Sequence, residues 1–247
     1  MNGKMTLACL CMMTIAAFSF ATDYEECFKL NESYNLSTSA VHEQIVMYEL
    51  RLKQDKNDYY ANLAIAILYT VLASPMENPE DGASGKIIPY TAKFEAKEKN
   101  NSLELVYSGM GHSLMARDSK NMFVKLAEVS KAISIFDRNV KLSENKPIEW
   151  YVRYMRGNFY MNLPDSLNKR KDAEQDFSFV LQEYQKNASL ESYMADGYYY
   201  LGEIEKSRGN IDKALEYWNL SVTINENLKM NSKEAEKSMK RLKTFKD

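Results

Sequence analysis

The first clear hydrophobic pattern in the chain is a stripe of apolar residues at intervals of three and four, the spacing of one face of an α-helix. Ser37, Thr38 and Ser39 stand shortly before the stripe and offer a helix N-cap. The pattern predicts a helix that begins near these hydroxyl residues and ends near Gln54. The stripe consists of Val41, Ile45, Tyr48 and Leu52.

Residues 59–73 are apolar on nearly every side, which is typical of a helix buried on most of its faces. The next segment, residues 74–86, contains two prolines and two glycines and predicts a long loop. Helical periodicity returns at Pro89 and continues to the end of the chain without sustained strand-like alternation, so we expect an all-α protein. The later predicted helices cover about 89–99, 102–117, 121–143, 147–162, 168–186, 190–208, 211–227 and 232–245.

These helices contain a repeat with a period near 45 residues. A small residue recurs on the first helix of each unit at spacings of 45, 46 and 45 residues, and an aromatic residue recurs on the second helix. Joint recurrence of this kind is typical of diverged structural repeats. Chance recurrence of glycine and phenylalanine in helical sequence is the competing explanation. The small residues are Ala66, Gly111, Gly157 and Gly202, and the aromatic residues are Phe94, Phe136, Phe177 and Trp218.

The stretch 196–226 is the clearest unit. Its order is an aromatic residue, two residues, Leu-Gly, a Gly-Asn turn and then Ala-x-x-x-aromatic, which resembles the tetratricopeptide repeat (TPR). Gly202 would let two helices approach closely, and Trp218 would wedge between neighbouring units. The resemblance is closest in residues 148–186 and 195–227. The period near 45 is also similar to HEAT-type helix pairs.

The TPR resemblance implies an all-α, right-handed helix-turn-helix solenoid of about four diverged units, in a single domain over residues 37–247. It also implies a C-terminal capping helix at about 232–245, whose outer side is rich in lysine and glutamate, as the end of an array requires for solubility. Residues 22–36 are polar and without clear period, and predict a short tail before the domain.

Residues 1–21 have the composition of a secretory signal peptide, because Lys4 precedes an uncharged apolar run and small residues stand before a cleavage point after Ala21. A retained membrane anchor is one alternative, although the run is short for it. A lipoprotein signal is another, since Cys9 and Cys11 lie in the run. We therefore expect an exported protein that resembles bacterial TPR proteins. It would be periplasmic or associated with the cell envelope, or secreted where no outer compartment exists.

Composition argues against several function classes. The net charge of −2 is unlike that of a dedicated nucleic-acid binder. Of the three cysteines only Cys27 follows the predicted cleavage point, so no internal disulfide is expected. His42 and His112 are the only two histidines, too few for a zinc site without a cysteine pair. Residues 109–111 lack the flanking signals of a phosphate loop, and no nucleophile motif is present. We expect no catalysis, cofactor or metal.

In TPR arrays the first helices of successive units line a concave groove, and the resemblance implies which residues face it here. Aromatic and methionine side chains at such positions offer adaptable contact area to a peptide or an apolar ligand. The alternative is that other segments cover part of the groove, so that these residues are simply core. The implied binding residues are His112, Tyr151, Tyr154, Asn158, Tyr199 and Glu203.

These observations favour an exported, non-catalytic scaffold or adaptor that binds a protein or peptide partner in the groove. The alternative is a small-ligand accessory protein similar to the T component of tripartite periplasmic transporters, working beside a solute-binding protein. A third class is an enzyme on a helical-repeat frame, acting on cell-wall glycans. It would need two carboxylates in one cleft, and the sequence has no motif for it.

Overall fold

The computed structural model describes residues 30, 36–74, 79–95, 102–187, 190–230 and 233–245. Over these residues it contains ten α-helices, a 3₁₀ turn (Asp165–Leu167) and no strand, so the all-α prediction is confirmed. The predicted signal peptide with Cys9 and Cys11 lies outside the described residues, as do Cys27 and nearly all of the predicted tail. The helices are α1 (Thr38–Gln54), α2 (Tyr59–Ala73), α3 (Ala83–Glu95), α4 (Ser102–Asp118), α5 (Met122–Ser143), α6 (Glu149–Met161), α7 (Arg170–Lys186), α8 (Glu191–Ser207), α9 (Ile211–Asn227) and α10 (Lys233–Thr244).

Local capping explains why the first helices begin where the sequence predicts. The Oγ of Ser37 accepts a hydrogen bond from the backbone N–H of Ala40 at 3.3 Å at the start of α1. The Oδ1 of Asp58 accepts one from the N–H of Ala61 at 2.9 Å at the start of α2. Each cap satisfies a backbone donor that the first helical turn leaves without a partner.

The predicted start of α3 at Pro89 is wrong, because the helix already begins at Ala83. Gly82 has a φ of 71°, and this left-handed conformation ends the preceding turn directly before the helix. Pro89 lies inside α3, where it lacks an N–H and crowds the carbonyl one turn earlier, at Gly85. Part of the proline- and glycine-containing segment that predicted a loop therefore lies in a helix.

The chain divides into two compact units, Met1–Ile135 and Phe136–Asp247, with the boundary inside α5. In the first unit α1, α3 and α4 all pack on α2, and α4 also packs on α3. Residues 61–73 of α2 are all buried, which confirms the prediction made from its apolar pattern. Despite this pattern, none of the described helices is long and apolar enough to cross a membrane.

The first unit also buries a carboxylic acid. Glu104, in the first turn of α4, has no exposed surface. Among the described residues neither of its carboxylate oxygens has a partner at ordinary hydrogen-bond distance, although the Tyr59 hydroxyl is near enough to favour the charged form. Burial is the larger effect and raises the pKa of Glu104 to about 7.

Replacing Glu104 with glutamine is expected to remove a pH dependence of stability. The glutamate has a pKa of 4.5 in the unfolded chain and about 7 in the folded one, so the unfolded chain loses the proton first and stability falls as pH rises between these values. From about pH 5.5 to about pH 7 the expected loss is about 1.5 kcal/mol. Urea unfolding followed by far-ultraviolet circular dichroism measures it. The exposed Glu43→Gln on α1 is the control and should keep the dependence, and a Glu104→Gln chain that also keeps it would contradict the assignment.

In the second unit neighbouring helices pack along the chain, with α6 on α7, α7 on α8, α8 on α9, and α10 on both α9 and α8. Two close approaches recur at glycine. A Cβ added to Gly157 on α6 would lie 3.1 Å from the Phe177 ring on α7. A Cβ added to Gly202 on α8 would lie 2.5 Å from Cδ1 of Trp218 on α9. An alanine at position 202 would overlap the Trp218 indole, whereas at position 157 the Phe177 ring would have to shift by a few tenths of an ångström.

The first unit differs at the corresponding glycine. A Cβ added to Gly111 on α4 would lie 2.9 Å from Cγ2 of Ile87 and 2.9 Å from Cδ1 of Ile88, both on α3. The close approach is thus made to the preceding helix. The repeat register pairs Phe94 with Ala66, and the side chain of Phe94 lies outside the described residues.

Candidate functional site

Four aromatic rings from α6 and α8 form a cluster in the second unit, with Tyr193 of α8 at its centre. The ring centroid of Tyr193 lies 5.0 Å from that of Trp150, 6.1 Å from that of Tyr151 and 5.2 Å from that of Tyr154. All three contacts are edge-to-face, the arrangement that aromatic quadrupoles favour. The rings of Tyr151 and Tyr154 are buried, whereas Trp150 and Tyr193 are partly exposed. The cluster therefore joins α6 to α8 and leaves parts of two large rings at the surface.

Asp196, one turn after Tyr193 on α8, adds a carboxylate to this cluster. The Tyr154 hydroxyl donates a hydrogen bond to its Oδ2 at 2.9 Å. Burial, and next the negative charge of Asp196, raise the pKa of Tyr154 well above its usual value, so the phenol keeps its proton and remains a donor. We call the following residues the aromatic–carboxylate site: Trp150, Tyr151, Tyr154, Tyr193 and Asp196.

The predicted groove residue Asn158 lies one turn after Tyr154 on α6. Its Nδ2 donates to the backbone carbonyl of Tyr154 at 2.9 Å, and its side chain is partly exposed. This bond holds the amide close to the helix, beside the aromatic–carboxylate site.

Tyr199 and Glu203, two further predicted groove residues, lie on α8 where α10 packs against it. The guanidinium of Arg241 on α10 donates Nε to Oε1 of Glu203 at 2.9 Å and Nη2 to Oε2 at 3.1 Å. The Nζ of Lys237, also on α10, lies 5.5 Å from the centroid of the Tyr199 ring. Because α10 engages both side chains, this end of the predicted groove is covered by the C-terminal helix.

His112, the sixth predicted residue, belongs to the first unit. Its Nδ1 lies 2.5 Å from Oε2 of Glu128 on α5, and Lys131 donates to the other oxygen of Glu128 at 2.8 Å. Burial raises the pKa of the Glu128 carboxyl, but the hydrogen bonds of Lys131 and His112 bring it below its usual value. Both His112 and Glu128 are buried, so the pair joins α4 to α5 inside the unit.

Arg156 stands where the TPR pattern has leucine, and it is the centre of an ion network. Its Nε and Nη2 donate to the two oxygens of Asp176 on α7 at 2.7 and 2.8 Å, and its Nη1 donates to Asp137 on α5 at 2.8 Å. Asp176 has no exposed surface. Tyr160 and Lys169 donate to Asp137 as well, at 2.6 and 3.2 Å. The network thus links three successive helices of the second unit.

The charged side chains of this network stabilise one another. Burial lowers the pKa of Arg156, but the hydrogen bonds and charge of Asp176 raise it above its usual value. Burial raises the pKa of Asp176 even though Arg156 and Arg153 both favour its charged form. We interpret the network as a structural crosslink, because each guanidinium nitrogen of Arg156 donates to a carboxylate of a neighbouring helix.

Sequence reasoning missed Trp150 and Tyr193, the two partly exposed rings of the site. Trp150 stands four residues before Tyr154, and Tyr193 stands three before Asp196. Helical spacing could therefore have placed both on the faces that the TPR resemblance implies. The six predicted residues fall in three places: Tyr151, Tyr154 and Asn158 at the site, Tyr199 and Glu203 beneath α10, and His112 in the first unit.

The aromatic–carboxylate site offers ring surface and an oriented carboxylate, groups that can contact a ligand by stacking and by charge-assisted hydrogen bonds. Within the part of the chain that the structure describes, no group of three or more His, Cys, Asp and Glu side chains is placed to hold a metal ion. No family model matches the chain, and neither a curated protein nor a solved structure matches it.

Proposed function

We propose that the chain is an exported, non-catalytic adaptor with a TPR-like fold, and that it binds a protein partner on the face formed by α6 and α8. The observation that carries the proposal is the aromatic–carboxylate site. Trp150 and Tyr193 are partly exposed there, and Tyr154 holds the Asp196 carboxylate beside them. Exposed tryptophan and tyrosine supply much of the binding energy at protein interfaces, because they offer large area with few rotatable bonds.

Repeated contacts support the TPR-like part of the proposal. Gly157 meets Phe177, and Gly202, which stands 45 residues later in the chain, meets Trp218 in the same way. In both pairs the small residue is on the first helix and the aromatic residue is on the second, as in the TPR. Stacked helix pairs of this kind present extended concave surfaces to partners.

The form of the site favours a protein partner over the small-ligand alternative. Sites for small molecules usually enclose most of the surface of the ligand. Here Tyr151 and Tyr154 pack against Tyr193, so the accessible ring surface is that of Trp150 and the outer part of Tyr193. A surface that is aromatic and only partly exposed can take a side chain that projects from a partner.

A photo-crosslinking amino acid at Ser192 tests the proposal. Ser192 is exposed on α8 next to Tyr193, so we expect a specific crosslinked product in cells that express the full chain. Mass spectrometry identifies the partner, and the purified pair is then measured by calorimetry. Replacing Tyr193 with alanine should weaken that affinity by about tenfold or more, since the ring is the centre of the cluster.

The same crosslinker at Asn219, exposed on α9, is the matched control and should give no such product. Equal products from both positions, or none from either, would contradict the adaptor proposal. A rise in melting temperature with a small metabolite, in a chain that gives no crosslink from position 192, would instead support the transporter-like alternative.

A further inference from the structure

We propose that the aromatic–carboxylate site receives the side chain of a lysine or arginine from a basic segment of the partner. This inference rests on the proposed function only in placing a partner on the face formed by α6 and α8. It adds the charge and the chemical class of the group that binds.

The same helix already binds cations one to two turns further along. On α8, Tyr199 and Glu203 receive Lys237 and Arg241 of α10: the ammonium lies 5.5 Å from the tyrosine ring centroid, and the guanidinium binds the carboxylate through two hydrogen bonds. Both cations stand on one face of α10, four residues apart. A tyrosine followed by a carboxylate on this face of α8 is therefore a combination that takes lysine and arginine.

Tyr193 and Asp196 repeat that combination nearer the start of α8. They are three residues apart and therefore share a face of α8, and Asp196 lies about two turns before Glu203. Trp150 of α6 adds a second partly exposed ring, 5.0 Å from Tyr193 by ring centroids. Tryptophan and tyrosine are the rings that attract cations most strongly.

The carboxylate of Asp196 is oriented for a donor. The Tyr154 hydroxyl donates to Oδ2 and so fixes the direction of the carboxylate, and a hydrogen bond to a charged carboxylate is stronger than one between neutral groups. Its charge already acts on a cation of the chain. Burial lowers the pKa of the Lys237 ammonium, but its hydrogen bond with Glu234 and the charges of Glu234, Tyr199 and Asp196 raise it above its usual value.

Other occupants fit less well. An acidic segment would meet the Asp196 carboxylate and be repelled. A purely apolar segment would cover that carboxylate and remove water from it without supplying a donor, which is unfavourable. A lysine or arginine provides an apolar stem for the rings and a charged tip for the carboxylate.

Titration of the full chain with an acetylated hexa-arginine amide tests this inference, with the matched hexaglutamate peptide as the probe of opposite charge. Calorimetry measures affinity, and tryptophan fluorescence locates the contact, because Trp218 is fully buried and Trp150 is partly exposed. We expect the arginine peptide to bind and the glutamate peptide not to bind. Asp196→Asn should weaken the binding of the arginine peptide by about tenfold, since it removes the charge but keeps an acceptor for Tyr154.

Asp212→Asn, at an exposed position on α9, is the control and should change the affinity by no more than about twofold. Equal effects of Asp196→Asn and Asp212→Asn would overturn the inference, because the peptide would then respond only to the general charge of the protein. Binding of hexaglutamate as tight as that of hexa-arginine would overturn it too.

The two proposals fail in distinguishable ways. A partner that is crosslinked from position 192, and whose affinity Asp196→Asn leaves unchanged, would preserve the adaptor function and overturn the cation site. If hexa-arginine binds in an Asp196-dependent manner but no partner is crosslinked, the site takes cations as inferred and the adaptor proposal is contradicted.

Discussion

Replacing Arg156 with leucine is expected to lower the free energy of unfolding of the second unit by about 3–4 kcal/mol, although leucine is the residue that the TPR pattern has there. The substitution leaves the fully buried Asp176 carboxylate without the two hydrogen bonds of the guanidinium. Among the described residues, Arg153, whose Nη1 lies 3.3 Å from Oδ1, is then the remaining cation that offsets the charge. Urea unfolding followed by tryptophan fluorescence reports on this unit specifically, because Trp150 and Trp218 are the only two tryptophans of the chain.

A double-mutant cycle separates the ion pair from simple packing. Asp176→Leu alone should also destabilise the unit, because among the described residues it leaves the buried Arg156 with Asp137 as its remaining carboxylate. The double replacement of Arg156 and Asp176 by leucine should recover most of the loss, to within about 1–2 kcal/mol of the original chain, since apolar residues can replace a buried pair at little cost. Additive losses in the double variant would show that the two residues act independently.

The exposed pair of Arg170 and Asp165 provides a matched control for the same chemistry at the surface. The Nε of Arg170 lies 2.5 Å from Oδ1 of Asp165, but both side chains are exposed to water. Arg170→Leu should therefore change the free energy of unfolding by less than about 1 kcal/mol. A loss as large as that of Arg156→Leu would contradict the view that burial gives the inner network its importance.

Gly202→Ala is expected to destabilise the second unit by about 3 kcal/mol, at the upper end of the range for overpacking a core. The added Cβ would lie 2.5 Å from Cδ1 of Trp218 and would overlap the neighbouring indole atoms. Trp218 has no exposed surface and its ring stacks on Phe245 at 5.8 Å, so the indole cannot move aside without disturbing the contact with the end of the chain. Urea unfolding by tryptophan fluorescence measures the loss.

Gly197→Ala on the same helix is the matched control. There the nearest atom to an added Cβ is the terminal Cε of Met194 at 3.3 Å, the flexible end of a side chain that can shift. Since alanine also favours a helix over glycine, this variant should be as stable as the original chain or slightly more stable. Equal losses of stability from alanine at positions 197 and 202 would mean that the contact with Trp218 is not what requires glycine at position 202.

Much of the helical architecture could be predicted because it depends on local information. Periodicity and caps placed α1 and α2 at their observed bounds, and α9 matches its predicted range of 211–227. The main error was α3, where Pro89 and Gly85 carry strong local signals for a break. Packing against α2 and α4 outweighs those signals, and packing depends on residues that are distant in sequence.

The candidate site was only partly predictable for the same reason. The repeat register indicated the faces of α6 and α8, so Tyr151, Tyr154 and Asn158 could be named. The repeat register does not include α10. It therefore could not show that Arg241, 38 residues after Glu203, would bind that carboxylate. Nor could it show that Tyr193 would become the centre of the aromatic cluster.

By itself the sequence determined the helical class, the glycine and aromatic positions of the last two helix pairs and the burial of α2, because periodicity and side-chain size act locally. Only the tertiary structure decided that Arg156 would pair with Asp176 and that α10 would cover Tyr199 and Glu203. It also decided that Tyr154 would orient Asp196. Each of these contacts joins side chains on different helices, and its geometry exists only once those helices have packed.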